Sequence, residues 1–171
     1  MTERRLSRPW LQLAAFCEDA EVDESGNLNI RKIIGRITFA TDSPDAPSAL
    51  PEVEWTLKFV LAVVPRSRTQ RGLHFALSVM TPGGQHNRGP DVWFPFDSKL
   101  RGQTLIVPVS LRFPAGAGTY WVLVLADTAE LTRIPLEVLY ERTSPVKRSR
   151  TAPRRGRQAS AVGAGGRQTG T

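Results

Sequence analysis

The sequence predicts an all-β chain, one antiparallel β-sandwich followed by a basic tail. Three observations carry the prediction. Apolar residues recur at every second position through much of the first 140 residues, as they do on strands with one buried face. Glycine, proline, asparagine and aspartate cluster between those stretches, where turns are needed. No segment shows a sustained apolar stripe at helical spacing with caps.

A first strand fits residues 10–17, Trp10-Leu11-Gln12-Leu13-Ala14-Ala15-Phe16-Cys17. Ser25-Gly26-Asn27 separates it from a second over 28–39, and the composition of 41–51 is that of a loop. The cleanest alternation lies at 54–63: Trp55, Leu57, Phe59, Leu61 and Val63 share one face, with Glu54, Thr56 and Lys58 opposite. At 73–79, Leu73, Phe75, Leu77 and Val79 alternate with His74, Ala76 and Ser78. Pro82-Gly83-Gly84 opens a longer connection to a weaker strand at 91–96. Over 103–113, Gln103 precedes Leu105, Val107, Val109, Leu111 and Phe113 on one face. Pro114-Ala-Gly-Ala-Gly118 then leads into 119–126, where both faces are apolar and a central position is expected. The segment after Asp127-Thr-Ala, 134–140, closes the series.

About eight short strands with turn signals between them point to an immunoglobulin-like sandwich; a closed barrel is the structural alternative. Pro95, Pro108 and Pro135 fall inside strands. Proline has no N–H to give to a ladder, so each should mark an edge or a bulge. The domain is expected over 10–140, after a flexible start at 1–9.

The formal charge of +7 suggests a basic protein, but its distribution does not. Residues 141–171 hold eight basic residues and one acid, Glu141, leaving fifteen of each sign in 1–140. The body is neutral and the excess sits in the tail. After Val146 the tail's one β-branched aliphatic is Val162, and it has no aromatic residue. It lacks the apolar surface to offset its ordering entropy, and disorder is expected.

Cys17 is the single cysteine, which excludes an intramolecular disulfide, a CxxC pair and any multi-cysteine zinc site. A reducing cytoplasm is the expected compartment. No apolar run reaches the roughly 18–20 residues of a membrane span. Arg4, Arg5 and Arg8 before an apolar stretch ending in Cys17 imitate a lipoprotein signal. Gln12 interrupts that stretch and Phe16 is too large to precede the lipidated cysteine, so a buried first strand is expected instead.

No catalytic constellation emerges. An EF-hand frame begun at Glu21 puts Lys32 where the bidentate carboxylate belongs, so Glu18, Asp19, Glu21, Asp23 and Glu24 are read as a solvated hairpin. His74 and His86 are not brought together with Asp91 by spacing, and a zinc site needs three or four ligands. Ser78 lies four residues from His74, roughly 13 Å along a strand. There is no GxSxG elbow, P-loop or HExxH. The expectation is a protein that is not an enzyme and carries no cofactor or metal.

The candidate interaction residues are aromatic and basic. Trp55 and Trp121 sit in strong strand patterns and are expected in the core. Trp10 and Trp93 are candidates for an exposed patch, because aromatics are enriched at interfaces. In the tail, Arg148, Arg150, Arg154, Arg155 and Arg157 are candidates for neutralising phosphates or docking on an acidic protein or anionic membrane surface. Arg155-x-Arg157-x-x-Ser160 has the form of a basophilic kinase site, where phosphate would reduce the charge.

Leu13-Ala14-Ala15-Phe16-Cys17-Glu18-Asp19-Ala20, then Gly26-Asn27-Leu28-Asn29-Ile30 and Ile33-Ile34-Gly35-Arg36-Ile37, resembles the start of a bacterial family of small β-sandwich proteins with no assigned function. Phe113-Pro114 with Gly118-Thr119-Tyr120 is similar to that family's element before the penultimate strand. The resemblance covers about residues 10–140 and excludes the tail. It implies a fold and a bacterial source, and no site residue is carried over.

The resulting expectation is a cytoplasmic, non-catalytic sandwich that binds an unidentified protein partner or serves a structural role. The alternative is a nucleic-acid-associated accessory protein that holds phosphates through its tail.

Overall fold

The computed structural model describes residues 8–114 and 116–143. Among them the chain forms ten strands and no helix: β1 (Trp10–Val22), β2 (Leu28–Ile33), β3 (Arg36–Thr41), β4 (Val53–Val64), β5 (Gly72–Met80), β6 (His86–Arg88), β7 (Val92–Pro95), β8 (Gln103–Phe113), β9 (Gly118–Ala126) and β10 (Ala129–Arg142). One sheet has the order β2-β1-β4-β8 and the other β3-β10-β9-β5-β6, with β7 also on β5. The alternation that predicted the strands now has a cause. Phe16, Phe59, Leu61, Val63, Phe113, Tyr120, Val122, Val124, Leu136 and Val138 point between the sheets and are fully buried.

The stretch 28–39 is two strands, not one. The adjacent Ile33 and Ile34 break the alternation, and Lys32 takes a left-handed φ of 56°. The chain then leaves one sheet for the other. The Ile34 N–H still donates to the Phe16 carbonyl (2.8 Å), while the Gly35 carbonyl already accepts from Glu137 N–H (2.9 Å). β3 runs parallel to β10, and every other strand pair among the described residues is antiparallel. The connection after Pro82 also contains a strand. β6 pairs with the end of β5, with His86 opposite Met80.

Each proline fits an edge. Pro95 ends β7, and Pro108 lies on β8, the outermost strand of its sheet. Pro135 lies in β10 before its pairing with β3 begins at Glu137. β10 itself runs past Tyr140 to Arg142, and Thr143 donates to the Thr41 carbonyl through both N–H and Oγ1. The candidates Arg148, Arg150, Arg154, Arg155 and Arg157 lie outside the described residues, as do the tail beyond Thr143 and the first seven residues.

Trp55 departs from its expected core position. It shares the inward side of β4, but at the open mouth of the sandwich, where it remains 44% exposed. Its ring meets the edge of Phe39 at 5.5 Å. Trp121 is half-buried on the outer face of β9.

The turn into β9 shows why Gly118-Thr119-Tyr120 is spaced as it is. The fully buried Tyr120 packs edge-on against Phe113 (5.0 Å), and its hydroxyl donates back to the Gly116 carbonyl at 2.8 Å. This is the tyrosine corner of immunoglobulin-like sandwiches. A Cβ on Gly118, whose φ is 147°, would lie 2.7 Å from Pro82. Tyr120→Phe keeps the ring but removes the corner's hydrogen bond. We expect a loss of about 1–2 kcal/mol, read as a lower urea midpoint at unchanged slope; an unshifted midpoint would deny the hydroxyl its structural role.

Candidate functional site

β8 pairs with β4 alone among the described strands, so its other edge is free. The ladder to β4 is continuous over eleven pairs, from Val53↔Phe113 to Val63↔Gln103, without a register shift. Pro108 cannot donate to that ladder, so its nitrogen faces the free edge. Strand alternation then aims the backbone groups of Ser110 and Arg112 the same way.

Beside this edge lies a groove of about 640 Å³. Val107, Val109 and Leu111 of β8 form one wall, and Phe75, Leu77 and Val79 of β5 form the floor. Val92 and the Gly89-Pro90 turn close the far side. Leu77, Val79, Val107 and Val109 are half-buried here, whereas strict alternation predicts full burial. Ser110 and Arg112 also border the groove, yet their side chains are engaged on the outer face. The Ser110 hydroxyl bonds Thr56 (2.9 Å), and Arg112 Nε donates to Glu54 (3.0 Å). What these two residues offer the groove is backbone. The result is an apolar trough along a row of unpaired N–H and C=O groups.

The two candidate tryptophans are both exposed and lie on different sheets. Trp10 is 61% exposed, with the Arg66 guanidinium 5.8 Å from its ring centre. Trp93 is 50% exposed, lies against His74 (4.8 Å) and approaches the backbone of Gly72. Trp10 belongs to the first sheet and Trp93 to the second.

The histidines stay apart. His74 pairs with Trp93 at one end of β5 and His86 with Met80 at the other. Their separation is roughly 20 Å at the rise of a strand. The acidic segment is mostly strand, since Glu18, Asp19 and Glu21 belong to β1. Asp23 organises the turn by accepting from the N–H groups of Ser25 and Asn27 and from the Asn27 amide. These bonds hold its carboxyl below the usual range, Asn27 contributing most. Lys58 does the same for Asp19 by hydrogen bond and charge.

Cys17 is fully buried in a small apolar cluster with Ala20 and Val60, under Leu13, Leu28, Ile30 and Ile106 on the outer face of the first sheet. Burial pushes its thiol pKa up, against the pull of the Lys58 charge. No group of three or more His, Cys, Asp or Glu is arranged to hold a metal among the described residues. No helix among them is long and apolar enough to cross a membrane.

Sequence reasoning missed Gln103. It follows the inward alternation of β8 and is 5% exposed, but its amide ties down the loop before it. Oε1 accepts from Asp97 N–H (3.1 Å), and Nε2 donates to the carbonyls of Asp97 (2.8 Å) and Leu100 (3.3 Å). A polar residue heading an otherwise apolar face was the available signal.

Two facing sheets with chain crossings at β4–β5 and β8–β9, a parallel β3–β10 edge and a tyrosine corner define an immunoglobulin-like sandwich. Among solved structures, the chain is similar to an immunoglobulin-like protein from Pseudomonas aeruginosa, at 10% identity and a TM-score of 0.36, over 77% of this chain and 97% of that one. No family model matches the chain, and no curated protein matches it.

Proposed function

We propose that the domain is a non-catalytic protein-binding module that takes up an extended segment of a partner by strand addition along β8. One observation carries this reading: the apolar groove runs beside a free strand edge, so one ligand can satisfy both. A peptide strand would bond to the backbone of Ser110 and Arg112 and place alternate apolar side chains against Leu77, Val79 and Val109. Backbone pairing supplies affinity in such complexes, and the side-chain sites supply selectivity. Pro108 limits pairing to the half of β8 that follows it, which favours a short segment of about four or five residues.

Heptapeptides selected from a random library on the immobilised protein test this. We expect alternating apolar sequences whose affinity falls at least tenfold on Val109→Asp. Exchange of the Ser110 and Arg112 amides should slow when peptide binds. Peptides that bind Val109→Asp equally well, or that leave both amides unprotected, would refute the reading.

The surrounding biology follows as part of the same proposal. The likeness of residues 13–37 to the start of small bacterial sandwich proteins supports a bacterial source. A single buried thiol supports a cytoplasmic location. A second reading, polyanion binding through 141–171, rests on the eight basic residues and one acid there.

A further inference from the structure

The neutral body hides a separation of charge. Fourteen cationic side chains lie among the described residues. Seven of them, Arg31, Lys32, Arg36, Lys58, Arg88, Arg112 and Arg133, are in ion pairs. Of the other seven, Arg66, Arg68, Arg71, Lys99 and Arg101 gather in two loops, 65–71 and 96–102, at one end of the sandwich. Arg66, Arg68, Lys99 and Arg101 line a cleft of about 490 Å³ between these loops. Asp97 is the one acid in its lining, and its carboxylate accepts the Lys99 N–H at 2.8 Å. Five of the fifteen acids among the described residues, Asp23, Glu24, Asp42, Asp45 and Glu52, sit at the opposite end, in the β1–β2 turn and the β3–β4 loop.

The cleft is built rather than incidental. Phe96 N–H donates to the Arg71 carbonyl (2.9 Å) and joins the two loops. Gln103 fixes residues 97–100 from beneath. The Gln70 side chain accepts the Arg66 N–H at 3.3 Å within the other loop. Four cations and one acid in a single lining give the cleft a net positive charge, which favours an anionic ligand. At the rim stands Trp10, exposed and in contact with Arg66.

We infer that this cleft binds the phosphates of a single-stranded nucleic acid, with Trp10 stacking on a base. Cations supply the sequence-independent attraction, and an exposed indole supplies the flat face that single strands use. This site is independent of the β8 groove and of the tail, and it gives the body a polyanion contact of its own.

Anisotropy of a fluorescein-labelled twelve-nucleotide oligothymidylate, titrated with the full chain across a salt series, tests it. The variants are Arg66→Gln/Arg68→Gln/Lys99→Gln/Arg101→Gln, Trp10→Leu, and the tail variant Arg154→Gln/Arg155→Gln/Arg157→Gln. The cleft variant should bind at least tenfold more weakly. Its slope of log affinity against log salt should be shallower by up to about 3, at about 0.7 per phosphate contact. Trp10→Leu should lose roughly tenfold through stacking, with the slope unchanged and the tryptophan quenching by oligonucleotide diminished. If the fourfold variant has a lowered thermal midpoint, Arg68→Gln and Arg101→Gln alone should each lose about threefold. The inference fails if the folded cleft variants retain wild-type affinity and slope. It also fails if the tail variant alone abolishes binding, or if the chain binds phosphatidylglycerol vesicles and not the oligonucleotide.

Discussion

Phe59→Ala is expected to remove about 3–5 kcal/mol of stability, measured by urea unfolding followed by circular dichroism. Phe59 is fully buried in β4, at the point where the two sheets meet. Its ring lies 5.4 Å from Phe16 of β1 and 6.3 Å from Phe75 of β5, so it packs against its own sheet and the facing one. Truncation loses the transfer energy of the ring and leaves a cavity that rigid strands cannot close. Domains of this size hold about 5–15 kcal/mol in total, so the variant would be marginal at ordinary temperature. Phe59→Leu keeps most of the volume and should lose about 1–2 kcal/mol. An alanine variant within 1 kcal/mol of wild type would contradict the packing described here.

Gly72→Ala is expected to lower stability by about 2–3 kcal/mol, although it adds one methyl group. A Cβ at Gly72 would lie 2.5 Å from the Phe94 carbonyl oxygen and 2.6 Å from the Trp93 ring. The carbonyl belongs to the backbone of β7, paired with β5 at this position, so the clash is relieved by lifting one strand off the other. Gly35→Ala is the control, since nothing lies within 4 Å of its Cβ position, and its effect should be within about 0.5 kcal/mol. A shift in tryptophan emission from Trp93 should accompany the Gly72 change. Equal midpoints for the two alanine variants would mean that β7 yields without penalty.

Strand positions were legible because alternation is a local signal, and the strong segments at 54–63, 73–79, 103–113 and 119–126 all became strands. What was not legible depends on partners distant in sequence. The period of Trp55 assigns it to the inner face, but its exposure depends on where the facing sheet stops. The half-burial of Val107 and Val109 depends on the absence of a strand beside β8 among the described residues, a fact about strand order. His86 is held in β6 by Met80, although its neighbours have turn composition. Charge arithmetic failed in another way. A net of zero over 1–140 is correct, yet the sum cannot show that cations outside the ion pairs converge from loops thirty residues apart in sequence. Gln103 was placed on the correct face but given no role, because its partners lie in the loop before it.

The parallel pairing of β3 with β10 has a consequence for how the protein is made. Arg36 of β3 waits for Glu137, 101 residues later in the chain. At a synthesis rate of about 5–20 residues per second, that delay is roughly 5–20 s. Throughout it β3 has no ladder partner, although Trp55 of the facing sheet, which packs on Phe39, is made soon after it. The nascent chain therefore carries an unpaired edge until nearly the whole domain has been translated. Contacts of such long range also slow closure after release. Chaperone demand and aggregation should thus respond to substitutions in β10, made last, more than to equally destabilising ones in the β1–β2 hairpin, made first.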